Sequence, residues 1–263
     1  MGVQVHPSAI VEKGAELGEN VDIGPACIVG SGVKIGDGGR LISHVSIAGS
    51  TTIGTDATIY PFAALGHPPQ DFKYDGEDTT LIIGDHVTVR EHATMHLGTP
   101  SGRGQTVVGD SCYFMVGSHV GHDCIVGNNV TFANSATLGG HVVVGDQVIL
   151  GGLSAVHQHC RIGRHAFLGG GAAVTGDVIP YGMVDNHGRL AGLNLVGLKR
   201  RGFNRDSIND LRTAYRLFFA SEGTFQERIN DAVRLYEHQE LVMEMVEFIK
   251  HSSIRHLCIP KAP

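Results

Sequence analysis

An apolar side chain recurs at every sixth position along most of the first two thirds of the chain. The steps run unbroken over 5–65, resume in the same frame over 83–95, and continue in a second frame over 108–174. An α-helix cannot use this spacing, because six residues turn roughly 600° about its axis and the apolar stripe would wander around its surface. A half-buried strand of an ordinary sheet would alternate with period two. A period of six therefore predicts a solenoid of short strands.

The apolar residue of each six-residue repeat is here called the anchor. Glycine often follows it, as in IGDG, VGDS and VGNN, and the chain has 37 glycines. Small residues beside each anchor allow tight corners. Three hexapeptides then make one triangular coil of about 18 residues, and successive coils stack about 4.8 Å apart through strand-to-strand hydrogen bonds. We therefore expect an all-β parallel β-helix of hexapeptide repeats, with one apolar residue per side pointing inward.

Two stretches break the period and are predicted to loop out of the solenoid. They are 66–82 and 96–107, and both are largely polar and contain glycine and proline. The apolar frame is the same before and after the first stretch, so the solenoid should continue intact beyond it. Irregular loops on a rigid scaffold often carry functional residues.

The period ends after Pro180, and helical spacing takes its place. In 204–221 apolar residues recur three or four positions apart. Thr224 and Glu227 have the spacing of a capping box at the start of a further helix. The sequence thus predicts two domains, a β-helix over 1–190 and a small α-helical C-terminal domain over 191–263 that caps the solenoid.

Charge and cysteine content argue against several classes of protein. Lys+Arg number 20 and Asp+Glu 26, a net charge of −6, which disfavours generic nucleic-acid binding. The five cysteines are scattered and never in C-x-x-C spacing, which is typical of reduced thiols in a cytosolic protein. The chain opens with no signal-peptide pattern, and no apolar run approaches the ~18 residues of a membrane span. We expect a soluble, cytoplasmic protein without membrane insertion.

The stretch GSHVGHDC at 117–124 contains two histidines and an aspartate directly after the second. With about 18 residues per coil, residue i lies over residue i+18, so polar residues of three tracts stack along one corner. Because His122 lies two positions beyond its apolar anchor, we expect it to point outward. A polar strip on a flat-sided prism favours a cyclic oligomer with the strip in the cleft between copies. The two stacks are His122, Gly140 and Gln158 in one, and Asp123, His141 and His159 in the other.

The pattern alone leaves three interpretations of this strip. The histidines are solvated or interface residues, or they bind zinc between neighbouring chains, or His122 oriented by Asp123 is an acid/base group. Zinc is disfavoured, because the stacking neighbours of His122 are Gly140 and Gln158, which are poor zinc ligands, so we expect no metal site. In the acid/base interpretation, Gly140 offers a backbone N–H to a developing oxyanion.

Six tracts spread along the chain resemble one known family. They are HPSAIVEKGAELG, QDFKY, HVGHDC, ATLGGHV, AVHQHCRIG and NLVGLKRRGF. Together they are similar to tracts of the UDP-N-acetylglucosamine O-acyltransferases that open lipid A biosynthesis. The resemblance implies a homotrimer of left-handed β-helices that moves an R-3-hydroxyacyl group from acyl carrier protein to the 3-hydroxyl of UDP-N-acetylglucosamine. It implies no cofactor, since acyl carrier protein brings the acyl group as a phosphopantetheine thioester and is a co-substrate.

The resemblance also implies roles for individual residues. His122 matches the general base, Asp123 its orienting partner and Gly140 the oxyanion donor. For the cationic positions in the nucleotide-diphosphate region, guanidinium–phosphate pairing is the physical reason. The positions that match substrate-binding residues are Asp71, Lys73, His119, His141, Gln158, Asn194, Arg200 and Arg201.

Two further expectations concern the acyl group and its carrier. Gly170 in FLGGGAAV matches a position that helps to set the accepted chain length, and glycine there predicts longer acyl chains. Acyl carrier proteins are acidic, and the helical tail is basic, which favours docking of the carrier on the tail. The residues proposed for this docking are Lys199, Arg205, Arg212 and Arg216.

The chain departs from the family pattern at three places. Leu97 replaces the arginine of the usual HRGT tract, which removes a cation near a phosphate or carrier contact. Val196 stands where an acidic residue is usual. The stretch that follows Pro180 is one residue shorter, which leaves the match of His187 to a family histidine open.

Other activities stay open on the sequence. The related N-acyltransferase of the same pathway is an alternative, although the NLVGLKRRGF tract disfavours it. A 3-amino sugar nucleotide could replace UDP-N-acetylglucosamine as acceptor, and the acyl length is not fixed. From other classes, a hexapeptide-fold zinc hydratase or a non-catalytic scaffold remains an alternative.

Overall fold

The computed structural model describes residues 2–251 and 253–261. Within them, short parallel strands stack into three sheets and are followed by helices, which confirms the parallel β-helix with a helical C-terminal part. Most strands are only two residues long, because each side of a triangular coil is short.

The strands of the N-terminal half are β1 (Gln4–Val5), β2 (Ile10–Val11), β3 (Glu16–Leu17), β4 (Asp22–Ile23), β5 (Ile28–Val29), β6 (Lys34–Ile35), β7 (Arg40–Leu41), β8 (Ser46–Ile47), β9 (Ser50–Ile53), β10 (Thr58–Ile59), β11 (Ala64–His67), β12 (Thr80–Ile83), β13 (Thr88–Val89) and β14 (Thr94–His96). They continue with β15 (Gln105–Val108), β16 (Tyr113–Phe114), β17 (His119–Val120), β18 (Ile125–Val126), β19 (Thr131–Phe132), β20 (Thr137–Leu138), β21 (Val143–Val144), β22 (Ile149–Leu150), β23 (Ala155–Val156), β24 (Arg161–Ile162), β25 (Phe167–Leu168), β26 (Ala173–Val174), β27 (Gly182–Val184) and β28 (Leu190–Leu193).

Every third strand belongs to the same sheet, so each coil contributes one strand to each side. The first sheet runs from β1 through β4 to β25, β27 and β28, the second from β2 to β26, and the third from β3 to β24. In the second sheet Val120 pairs with Leu138, and Leu138 pairs with Val156. Residues 18 apart are therefore neighbours, as the six-residue period predicts.

The pairing between coils continues beyond each of the two predicted loops, with one register shift between Leu65 and His67 where the first loop leaves. Across the first loop the paired residues are 30 apart, and across the second they are 25 apart. The observed strands reach further into both stretches than the sequence indicates, so the irregular parts are 68–79, here called the first loop, and 97–104, the second loop.

The core is a column of the repeat's apolar anchors. From Ile23 to Val174 every anchor is buried, whereas Val5 is 46% exposed because no earlier coil covers it. All five cysteines are buried free thiols inside this packing. Burial raises the pKa of the Cys112 thiol to about 11, so the thiol is unreactive at neutral pH.

The solenoid ends in an antiparallel hairpin of β27 and β28. β28 spans the predicted domain boundary at residue 190, and the first helix begins at Leu195. The capping box of Thr224 and Glu227 is present at the start of the third helix. The helices are α1 (Leu195–Arg200), α2 (Arg205–Phe218), α3 (Phe225–Tyr236) and α4 (Glu240–Lys250).

Helices α2, α3 and α4 pack against one another, and the C-terminal tail then returns to the solenoid. The Cys258 N–H donates to the Asp177 carbonyl, and the Leu190 N–H donates to the Ile259 carbonyl. Among the residues described, no helix is long and apolar enough to cross a membrane.

The alternation within β7 yields a stability test. Leu41 is buried and its neighbour Arg40 is exposed. We expect Leu41→Ala to lower the free energy of unfolding by about 2–5 kcal/mol, because it leaves a cavity in a core that cannot collapse around it. Arg40→Ala on the same strand should cost under about 1 kcal/mol. Urea denaturation measures both, and equal costs would contradict the inward assignment of the anchors.

Candidate active site

His122 and Asp123 lie at the corner where the chain passes from the second sheet, after β17, to the third sheet at β18. Asp123 has a left-handed backbone, with φ of 60°. Its N–H donates to Thr106 Oγ1 over 2.9 Å, which holds the corner to β15 one coil away. The tight corner thus turns the His122 side chain outward and the Asp123 side chain into the protein.

The Asp123 carboxylate is fully buried and surrounded by hydrogen-bond donors. Thr99 Oγ1 donates to Oδ2 over 2.6 Å, and the Arg103 N–H donates to Oδ1 over 2.6 Å. The Thr99 N–H lies 3.1 Å from both oxygens. Burial acts to raise the pKa of Asp123, but the hydrogen bonds from Thr99, His122 and Arg103 outweigh it and hold the pKa below its usual value.

His122 Nδ1 lies 2.8 Å from Asp123 Oδ2. Because the ionised carboxylate can only accept, Nδ1 donates this hydrogen bond, and in the neutral imidazole the lone pair is then on Nε2. The side chain of His122 is 13% exposed, so the ring is sheltered but reachable. This arrangement orients an imidazole for proton transfer at Nε2.

Gly140 lies directly against the His122 ring, as the 18-residue stacking predicts. A Cβ added to Gly140 would lie 2.5 Å from both Cε1 and Nε2 of His122, so only glycine leaves room for the imidazole. Within the described residues, the Gly140 N–H has no hydrogen-bond acceptor. A free backbone N–H beside Nε2 can stabilise negative charge that develops on a bound carbonyl.

Two further histidines flank His122. His141 Nδ1 is 3.9 Å from Asp123 Oδ2, and the His141 ring stacks on His159 with centroids 4.4 Å apart. On the other side His119 Nδ1 lies 2.8 Å from Thr94 Oγ1. Burial lowers the pKa of both His119 and His141, so both stay neutral at neutral pH, although Asp123 acts in the opposite direction on His141.

The structure extends the histidine strip beyond the residues singled out in the sequence. The ring of His96, in β14, meets His119 edge to face with centroids 4.9 Å apart. Burial and the neighbouring histidines lower the pKa of His96 to about 4. Gln158 is exposed at the other end of the strip, where its carbonyl accepts from Arg255 Nε of the C-terminal tail over 2.8 Å.

The first-loop residues lie apart from this strip. The Lys73 N–H donates to Asp71 Oδ1 over 3.0 Å within a turn, and Lys73 is exposed. Phe72 between them is fully exposed. The structure of one chain therefore places Asp71 and Lys73 on a protruding loop and does not bring them into hydrogen-bonding contact with His122.

A cavity of about 650 Å³ lies on the outer face of the first sheet beside α1. Asn194, Arg200 and Arg201 line it together with apolar side chains such as Phe167 and Val196. It is a different face of the chain from the His122 corner, because its sheet residues belong to β22, β25 and β27 of the first sheet.

Asn194 and Arg201 are held in place around this cavity. Asn194 Oδ1 accepts from the Gly197 N–H as the N-cap of α1, and Nδ2 donates to the His165 carbonyl. Arg201 Nε donates to Gln147 Oε1 over 3.0 Å, and its buried Nη1 has no protein acceptor among the described residues. Arg200 is exposed.

The cluster of His122, Asp123 and His141 also has the compactness of a metal site, with its ligand atoms within 4.8 Å of one another. The donor set does not fit a cation, because Thr99, Arg103 and His122 already donate hydrogen bonds to both carboxylate oxygens. A metal ion would have to displace these donors. The arrangement favours proton transfer over metal binding.

Gly170 and the four basic residues proposed for carrier docking are exposed. A Cβ added to Gly170 would meet only the Gly152 carbonyl oxygen, at 3.5 Å, so the backbone leaves open space there. The basic residues of this surface, all exposed, are Lys199 in α1 and Arg205, Arg212 and Arg216 in α2.

The structure places two of the residues that depart from the family pattern. Leu97 is buried and packs against Gly49 in the core. His187 is exposed in the β27–β28 turn, where its N–H donates to Asp185 Oδ1.

Sequence reasoning missed the residues that surround Asp123. Thr99 and Arg103 lie in the second loop, and Thr106 lies in β15 beyond it. The loop has no period, so no stacking rule relates it to the corner. The one available signal was the pair of glycines at 102 and 104 in SGRG, which allows the backbone to approach another group closely.

The contact between Gly140 and His122 predicts a coupled pair of substitutions. Gly140→Ala should lower the free energy of unfolding by roughly 1–3 kcal/mol, because the new Cβ overlaps the imidazole. In a His122→Ala background the same change should cost much less, since the overlapping ring is gone. Thermal or urea unfolding of the four proteins measures this coupling, and additive effects would contradict the contact.

Comparison with known proteins finds similar sequences over nearly the whole chain. A family model of the bacterial transferase hexapeptide matches residues 105–140, and one described as UDP N-acetylglucosamine O-acyltransferase, domain 2, matches 177–258. The acyl-[acyl-carrier-protein]--UDP-N-acetylglucosamine O-acyltransferase of Caulobacter vibrioides is 55% identical over 260 residues, which cover 98% of this chain and 99% of that protein. The protein of the same name from Rickettsia canadensis is 54% identical, with 97% of each chain covered.

Solved structures of UDP-N-acetylglucosamine acyltransferases share the fold of this chain. The crystal structure of the Francisella novicida UDP-N-acetylglucosamine acyltransferase superposes with a TM-score of 0.94 at 33% identity, covering 97% of this chain and 94% of that chain. The Campylobacter jejuni UDP-N-acetylglucosamine acyltransferase gives a TM-score of 0.91 at 35% identity, covering 98% of this chain and 100% of that chain. The chain belongs to the family of acyl-[acyl-carrier-protein]--UDP-N-acetylglucosamine O-acyltransferases and is an O-acyltransferase.

Proposed function

We propose that this O-acyltransferase moves an R-3-hydroxyacyl group from the thioester of acyl carrier protein to the 3-hydroxyl of UDP-N-acetylglucosamine, the first step of lipid A biosynthesis. The names of its relatives specify the donor and the acceptor. The observation that carries the chemistry is the His122–Asp123 pair beside the free N–H of Gly140.

In the proposed mechanism His122 is the general base. Its Nε2 takes the proton of the sugar 3-hydroxyl while that oxygen forms a bond to the thioester carbonyl carbon. The Gly140 N–H donates to the oxyanion of the tetrahedral intermediate. The carbon–sulfur bond then breaks, and His122 returns its proton to the departing phosphopantetheine thiolate. Asp123 keeps the ring in one orientation and stabilises the imidazolium while it lasts.

The transfer is proposed to be direct, without an acyl-enzyme. The Cys124 thiol is the nearest candidate nucleophile in sequence, but it is fully buried in the core. Burial raises its pKa to about 12, so the reactive thiolate is not formed at neutral pH. A transfer from thioester to hydroxyl needs no other group than a base and an oxyanion donor.

A homotrimer is the assembly that best accounts for the position of the binding residues. Asn194, Arg200 and Arg201 line a cavity on the first sheet, whereas His122 stands at the corner between the other two. The first loop, which carries Asp71, protrudes from the solenoid. In a cyclic assembly of three prisms, a face of one subunit meets a corner of the next, which would join these elements around one substrate.

The exposed basic residues of α1 and α2 are proposed to dock acyl carrier protein. Arg212 and Arg216 lie one turn apart on α2, and Lys199 lies at the end of α1. Attraction between this surface and an acidic carrier acts mainly on the rate of encounter and is screened by salt.

A single assay series tests the proposed reaction. The purified chain is mixed with carrier proteins that bear R-3-hydroxyacyl groups of different lengths and with UDP-N-acetylglucosamine or its 3-amino analogue. The expected product is the 3-O-acyl sugar nucleotide, with a KM for the acyl carrier that rises with salt. Transfer only to the amine would favour an N-acyltransferase, and loss of activity on chelation would favour a metal mechanism. Light scattering of an active monomer would contradict the trimer.

The role of His122 predicts a large effect on turnover. His122→Ala should lower kcat by roughly 10²–10⁴, the usual contribution of a positioned general base. His44→Ala is a suitable control, because His44 is an exposed histidine at a different corner of the solenoid. Steady-state kinetics measures both variants. A near-normal kcat for His122→Ala would mean that another group is the base.

The open space at Gly170 predicts a change in chain-length preference. Gly170→Met should shift the preference from longer to shorter acyl chains, because the new side chain would fill a groove for the far methylenes, each worth ~0.8 kcal/mol when buried. Gly30→Met is the matched control, since Gly30 also tolerates a Cβ but lies near the N-terminal end of the solenoid. Competition between acyl donors of different lengths measures the preference. An equal loss of activity for every chain length would mean that Gly170 does not set the accepted acyl length.

A further inference from the structure

The second loop closes over the carboxylate of Asp123. Thr99 is 1% exposed, and its hydroxyl lies 2.6 Å from Oδ2. A Cβ added to Gly102 would lie 2.4 Å from Asp123 Cγ, so the loop backbone packs directly on the carboxylate. The loop therefore separates the carboxylate from solvent and supplies its hydrogen-bond donors in place of water.

The two carboxylate oxygens have different partners. The Thr99 N–H lies 3.1 Å from both oxygens. Besides it, Oδ1 accepts from the Arg103 N–H, whereas Oδ2 accepts from Thr99 Oγ1 and His122 Nδ1, at 2.6 and 2.8 Å. Among the described residues, the Thr99 hydroxyl is the one side-chain donor besides His122 that bonds to Oδ2. Its contact is the shortest at Oδ2, so the hydroxyl contributes most to where Oδ2 lies relative to the ring.

The loop does not depend on this hydroxyl for its own attachment. The Thr99 N–H and the Arg103 N–H both donate to the carboxylate, and Arg103 Nη1 donates to the Asp123 carbonyl over 2.7 Å. These contacts remain when the hydroxyl is removed. The hydroxyl instead fixes the position of Oδ2 and stabilises the negative charge on it by donating a hydrogen bond.

We propose that the Thr99 hydroxyl is a positioning group for acyl transfer: through Oδ2 of Asp123 it fixes the orientation in which His122 exchanges its proton. The proposal rests on the proposed role of His122 as the base. Thr99 does not touch the substrate in this account and acts only through Asp123.

The isosteric change Thr99→Val tests the hydroxyl without changing the shape of the side chain. It should lower kcat roughly 10- to 100-fold, because a buried carboxylate lone pair loses its donor and Oδ2 is no longer fixed. The KM values for the acyl carrier and the sugar nucleotide should change little. Thr99→Ser keeps the hydroxyl and should retain most of the activity.

The pH profile separates this positioning role from a loss of folding. Without the competing donor, Oδ2 should interact more strongly with the imidazolium, which moves the acidic limb of the kcat profile to higher pH. Thr106→Val is the matched control, since it also removes a buried threonine hydroxyl next to Asp123. The Thr106 hydroxyl accepts from the backbone N–H of Asp123 and is not hydrogen-bonded to the carboxylate. It should lower the melting temperature without moving the acidic limb.

Three results would overturn the proposal: an unchanged kcat in Thr99→Val, an equal loss in Thr99→Ser, or an acidic limb that stays in place while the melting temperature falls. His122→Ala is measured beside these variants. If His122→Ala retains activity, the proposed general base is wrong. If His122→Ala is inactive and Thr99→Val is normal, only the role of Thr99 is wrong.

Discussion

The hydrogen-bonded pairing of each coil with the next is the constraint on which the rest of the structure depends. A strand of two residues has no stability alone, so every coil relies on hydrogen bonds to the coils above and below. The register turns corner residues into columns, and Asp123, His141 and His159 share one column with left-handed φ values of 60°, 64° and 64°. Stacking overrides the usual cost of this conformation.

The same register explains how much of the site was predictable. Once the apolar period is fixed, stacking follows by position, so the sequence correctly placed Gly140 against His122 and His141 against His159. The core was equally predictable, because a single inward residue per side repeats from Ile23 to Val174. These features depend on regular spacing alone.

The missed features lie where spacing is lost. Thr99 reaches Asp123 because the second loop folds back on the coil. The conformation of a loop without a repeat could not be predicted from its sequence. The sequence showed that Leu97 removes a cation, but not that its own side chain packs in the core against Gly49. Asn194 matched a binding residue, and it is also the N-cap of α1, a local role that residue matching did not indicate.

The electrostatic environment of His122 is asymmetric, and this asymmetry suits a residue that gains and loses a proton. Burial lowers the pKa of His119 and His141 on either side, so neither adds a competing positive charge at neutral pH. Asp123 stays ionised in a buried place because donors of the second loop outweigh the cost of burial. An imidazolium at His122 would therefore have Asp123 as its anionic partner and neutral histidines beside it. A solenoid corner becomes capable of acid/base chemistry because an inserted loop covers its carboxylate while the other edge of the imidazole remains accessible.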